Sequence, residues 1–192
     1  EFSPWQQLNV AKSDDPEGYA RRKEAAVERL ALMCRLYAKQ LEGGRLFLHE
    51  HPLQASSWDE ECIQKVLKNP EVSTVVMDQC KFGQQDKNGD PIKKPTRWMS
   101  NAPRLLTHLS KRCTGRGGEC SGKAKGLYHR PCYGEVAKAA AIYPFRLCKA
   151  IPEGFRDELD QRGRVVAHLG IVIPKMEAEK DEDDVLASLE KA

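Results

Sequence analysis

The chain has 192 residues, of which 40% are hydrophobic and 31% charged, enough apolar content to bury one core with a broad solvated surface. That length admits one domain, or one domain with a tail, and no apolar run approaches the roughly 20 residues of a membrane-spanning helix. Seven cysteines lack the dense even pattern of a secreted disulfide scaffold, so they are expected to be reduced thiols of an intracellular protein, nuclear or cytoplasmic. No apolar signal segment opens the chain, which begins at Glu1 rather than Met, so its natural start is expected upstream. The net charge of +3 is unevenly placed: residues 93–130 hold ten lysines and arginines against one acid, Glu119, whereas residues 175–192 hold seven acids and three bases. A field of the first kind suits phosphate backbones, or else is a solvated basic loop.

In chain order, Asp14-Asp15-Pro16-Glu17 reads as a helix start, with an acidic cap and proline in the first turn. The helix is predicted to run to about Leu41, because Val27, Leu30, Cys34, Tyr37 and Leu41 recur at spacings of three and four. Leu46-Phe47-Leu48 reads as a strand buried on both faces, the pattern of a parallel sheet. A short helix is predicted from Trp58 to Lys68, a strand over Val72–Met77, a turn at Asp86–Asp90 and a strand or extended loop over Ile92–Met99. Helices are predicted over Pro103–Arg112, Gly134–Ala141 and Phe145–Leu159. Ile171–Pro174 is a brief apolar segment before an acidic tail, which is either a frayed amphipathic helix or disordered. Alternating strands and helices give an α/β class.

Three constellations could carry chemistry. Glu50, flanked by His49 and His51 at a strand end, could hold a proton or bond an amine if desolvated, and could equally be an ordinary polar group where a strand becomes a loop. Lys93, Lys94 and Arg97, with Thr96 and Trp98 among them, could grip a nucleic acid, phosphates on the cations and a base on the indole; alternatively this is a basic edge strand with Trp98 in the core. Cys113, Cys120, His129 and Cys132 offer the three thiols and one imidazole of a tetrahedral zinc site, or are free thiols in a loop. Phosphate-binding loops, nucleophile elbows and zinc-protease motifs are absent from the sequence.

Four segments in order are similar to DNA cytosine-5 methyltransferases, especially to the methyltransferase-like segments of retroelement polyproteins from dinoflagellates. Glu1-Phe2-Ser3-Pro4-Trp5-Gln6 resembles the stretch after that family's catalytic Pro-Cys. Phe47-Leu48-His49-Glu50-His51-Pro52 resembles its strand ending in Glu-Asn. Cys80-Lys81-Phe82-Gly83 with Lys94-Pro95-Thr96-Arg97-Trp98-Met99-Ser100-Asn101 resembles a later strand that helps hold the target base. Tyr143 to Ile151 resembles the closing helix. The resemblance covers residues 1–155, with 102–133 as a basic Cys/His-containing insert and 156–192 as an extension.

It implies an incomplete Rossmann-like half with mostly parallel strands. Glu50 would contact the cytosine edge, steadied with the DNA by Lys94, Thr96 and Arg97, on a flipped base. The methyl donor of the complete family domain is S-adenosylmethionine. This chain lacks the glycine-rich cofactor loop and the nucleophilic cysteine, so it would need the missing N-terminal half as partner and would be inactive alone, with an apolar sheet edge exposed. The alternatives are a nucleic-acid-binding module resting on residues 93–130, with DNA the expected ligand and no membrane partner, and a different α/β enzyme using Glu50 and a histidine, or a purely structural remnant.

Overall fold

The computed structural model of the chain describes residue 2, residues 15–123 and residues 126–164. The readings made for Ile171–Pro174 and the acidic tail lie outside the described residues.

Helix α1 spans Pro16–Glu42, as its stripe predicts: the Asp15 carboxylate accepts from the Gly18 N–H at 2.7 Å, Pro16 opens the first turn, and Leu30, Cys34 and Tyr37 are buried. Strand β1 follows (Leu48–Pro52), then a 3₁₀ turn over Ser56–Asp59 and helix α2 (Glu61–Leu67). Strand β2 (Ser73–Asp78) leads through a second 3₁₀ turn (Gln79–Phe82) and a loop to strand β3 (Pro95–Ser100). Helices α3 (Pro103–Leu109), α4 (Gly134–Ala139) and α5 (Phe145–Gln161) complete the described elements.

The strands form one sheet in the order β1-β3-β2, and both pairings are antiparallel. This corrects the expected Rossmann-like half with mostly parallel strands. The α2 crossover does carry β1 into a β2 of the same direction. The gap between them is filled by β3, which returns from the loop after β2 and runs the other way. Burial on both faces was read as a parallel signature, but helices on both sides of an antiparallel sheet bury it equally well. At the head of the ladder the side chains of Ser100 and Asn101 extend the pairing: Ser100 Oγ donates to the Phe47 carbonyl (2.5 Å), and the Phe47 N–H donates to Asn101 Oδ1 (3.1 Å).

One core lies between the sheet and α1–α2, with Leu30, Tyr37, Phe47, Trp58, Ile63 and Met99. The other lies between the sheet and α3–α5, with Met77, Trp98, Leu105, Leu109 and Leu147. Full burial of each such side chain stabilises by about 1.5–3 kcal/mol. Both sheet faces are therefore covered by helices. Glu158 locks the second layer: its buried carboxylate accepts from the Arg104 N–H (2.9 Å) at the start of α3 and from Arg162 Nε (2.7 Å). α3 and α5 cross at Gly154, where an added Cβ would lie 2.8 Å from the Leu105 Cα. Backbone cannot rotate away as a side chain can. Gly154→Ala is therefore expected to cost about 1–3 kcal/mol of unfolding free energy, read as a lower urea midpoint at unchanged slope.

Candidate metal centre and the residues around it

Four side chains converge where β2 ends. The ligand atoms of Cys80, Cys113, Cys120 and His129 all lie within 4.8 Å of one another, and the three cysteines are buried. Cys80 arrives on the 3₁₀ turn after β2. The other three come from the basic segment, which a buried carboxylate ties to the sheet. Asp78 Oδ2 accepts from Arg112 Nε (2.9 Å) and from the Cys113 N–H (2.8 Å), while the Asp78 N–H donates to the Lys111 carbonyl (3.0 Å). Beyond Cys113 the chain folds into a hairpin: the Cys120 N–H donates to the Leu127 carbonyl, the His129 N–H to the Gly118 carbonyl, each at 2.8 Å. This places Cys120 and His129 on adjacent rungs. Gly115 permits the close approach, since a Cβ there would meet the Glu119 carbonyl oxygen at 1.8 Å. Arg130 fastens the far end, its N–H on the Pro91 carbonyl (2.8 Å) and its guanidinium 3.5 Å from Asp86.

The cluster has the surroundings of a thiolate site. The Ser121 N–H and hydroxyl both donate to Cys113 Sγ at 3.4 Å, the Gly122 N–H donates to Cys120 Sγ at 3.4 Å, and His129 Nε2 lies 3.5 Å from Cys113 Sγ. Burial opposes ionisation of Cys113, but the hydrogen bonds from Ser121, Gly115 and Cys80 outweigh it and bring the thiol down to about 6. Cys80 is pushed the other way, by burial and by the neighbouring Cys120 and Cys113. Thiols this close cannot all ionise unless a cation lies among them. Three sulfurs and one imidazole nitrogen form a donor set that suits a tetrahedral metal: zinc–sulfur bonds of about 2.3 Å place sulfurs about 3.8 Å apart.

The fourth position differs from the expectation. Cys113, Cys120 and His129 come together as the spacing suggested, but Cys132 stands outside the cluster and Cys80 takes its place. The Cys132 thiol is raised by burial, with Lys94 opposing. Sequence proximity favoured Cys132. The available signal for Cys80 was its position just beyond the β2 run, where a strand end can present a side chain to a following loop.

Glu50 is half-buried and paired across the ladder with Trp98, whereas Arg97 pairs with His51. Because side chains alternate along a strand, Glu50 and Arg97 occupy opposite faces of the sheet, and their expected convergence does not occur. Burial raises the Glu50 carboxyl, with a Tyr143 hydrogen bond and the Lys94 charge opposing. The basic set is largely inward. Lys93 is half-buried and its carbonyl accepts from the Gln79 N–H (2.8 Å). Lys94 donates to the Ala140 carbonyl (2.5 Å), buried Thr96 accepts from Gln79 Nε2 (3.2 Å), and Arg97 lies over the Trp58 ring, 4.6 Å from its centroid. Trp98 is 2% exposed and stands in the core.

Comparisons of the chain with protein-family models, with curated proteins and with solved structures find no match. Among the described residues no helix is long and apolar enough to cross a membrane.

On the opposite face from Glu50, His49 is buried, its Nδ1 3.0 Å from the Tyr37 hydroxyl and its Nε2 without a partner among the described residues. Burial, reinforced by His51, brings its pKa from 6.5 down to about 4. The folded state holds this imidazole neutral, while the unfolded chain takes up the proton below about pH 6.5. The contribution is thus complete above pH 6.5 and lost as pH falls to 4, amounting to about 3 kcal/mol. Unfolding free energy measured by urea titration should fall across that window, and the His49 ring resonances should titrate near pH 4; a midpoint near 6.5 would refute the assignment.

Proposed function

We propose that the chain is a nucleic-acid-binding module whose basic segment is held in shape by one zinc ion. The observation that supports this most directly is the convergence of Cys80, Cys113, Cys120 and His129, three of them drawn from the most basic stretch of the chain. Zinc supplies a fixed fourfold anchor without redox chemistry. Cys80 fastens that anchor to the sheet, and the other three ligands fix the loop on which the cations sit. Within the described residues 111–130, Lys111, Arg112, Arg116, Lys123 and Arg130 face a single acid, Glu119. Arg112 and Arg130 are spent on Asp78 and Asp86, which position the segment. Lys111 and Arg116 are exposed, where phosphates could reach them, the Lys111 ammonium lying 5.1 Å from the Phe82 ring centroid.

The sheet argues against a methyltransferase. Its parallel sheet is replaced by an antiparallel one, and Glu50 and Arg97 lie on opposite faces. No donor pocket for S-adenosylmethionine is assigned.

Purified without chelator, the full chain should carry one equivalent of zinc by elemental analysis. Cys80→Ser should lose most of it, and Cys132→Ser should keep it. The reverse pattern would return the fourth ligand to Cys132. Nucleic-acid affinity should fall steeply with salt, and Arg116→Ala should lower the slope of log K against log salt by about one. Binding that ignores salt, or that survives zinc removal unchanged, would sink the reading.

A further inference from the structure

The metal-anchored hairpin carries an aromatic ring in an unusual setting. Tyr128 immediately precedes His129 and is bridged across the hairpin to Glu119, next to Cys120, so its backbone is fixed by ligands on both strands. Its side chain is nevertheless 60% exposed. The turn before it holds Gly118, whose φ of +87° favours glycine; a Cβ built there would lie 3.8 Å from Tyr128 Cδ1, an ordinary van der Waals distance. The exposed Arg116 sits in the same turn, its carbonyl accepting from the Glu119 N–H at 3.0 Å. Glu119, bridged to Tyr128 across the hairpin, accepts from the Gly126 N–H through Oε1 at 2.6 Å.

An exposed ring on a metal-anchored hairpin, with an exposed arginine in the adjoining turn, has the parts needed to stack one unpaired base and hold a nearby phosphate. A duplex buries both faces of its bases in its own stack, so it offers the ring nothing comparable. We propose that Tyr128, on the hairpin whose turn carries Arg116, is a stacking platform for single-stranded nucleic acid. This rests on the nucleic-acid reading above and narrows it to unpaired strands. The ring's rigidity comes from the Cys120 and His129 rungs on which the hairpin is built, so stacking is coupled to an intact metal centre.

The test uses the zinc-loaded full chain with fluorescein-labelled single-stranded oligothymidine, oligouridine and a mixed-sequence duplex, followed by anisotropy. The wild type should prefer the single strands. Tyr128→Ala should weaken single-strand binding about ten-fold or more, with duplex binding unchanged. Tyr128→Phe should restore it, because the ring face and not the hydroxyl carries the contact. Tyr128 is exposed, so both variants should keep their zinc and their melting temperature, which is checked in parallel. If Tyr128→Ala binds single strands like the wild type while Arg116→Ala weakens them, the platform is refuted and the broader reading survives. A wild type that prefers the duplex also refutes the platform alone. A wild type that binds neither single strands nor duplex removes both.

Discussion

The carboxylate of Asp78 organises the half of the molecule that carries the candidate metal cluster. It stands at the last position of β2 with a fully buried side chain, where a lone charge would be strongly unfavourable. Its partners are Arg112 and the Cys113 backbone, so satisfying the charge draws the chain after α3 onto the sheet end. That places Cys113 next to Cys80, which leaves β2 only two residues later. The metal cluster is thus a consequence of one buried ion pair and its accompanying backbone bonds. The same economy explains why two cations of the basic segment are paired with acids outside it: Arg112 and Arg130, each half exposed, tie the segment to Asp78 and Asp86.

The fold was partly legible. The extent of α1 followed from its apolar spacing and its acidic cap, and Val72–Met77 was a strand with a one-residue offset at each end. What a single sequence does not contain is the partner of each strand. The run Leu46-Phe47-Leu48 signals burial on both sides, but the hydrogen-bonding direction depends on which strand arrives in the gap beside it. Here β3 arrives from a local loop, and local return makes an antiparallel neighbour.

The site was legible to the same degree and for a related reason. Cys113, Cys120 and His129 lie close in sequence, so local folding brings them together, and spacing found them. Cys80 joins them only through tertiary structure. Trp98 and Arg97 show the sharper limit. They are adjacent and were read as one nucleic-acid grip, yet alternation sends one into the α3–α5 core and the other onto Trp58. A one-residue change of register exchanges the two faces, and register was not written in the residues considered alone.

The unequal spacing of the four ligands also bears on the order in which the domain assembles. Three ligands span a short stretch, whose closure costs little chain entropy, while the fourth waits on a loop that includes β3 and α3. A metal ion can therefore be captured first by the nascent hairpin, with solvent filling the remaining position. Cys80 would displace that solvent only once β2, β3 and α3 had packed. Complete coordination of the proposed metal would then be a late event in folding, and the spectrum of a fourth-ligand exchange on a cobalt-substituted chain would time the moment at which the sheet and the hairpin become one body.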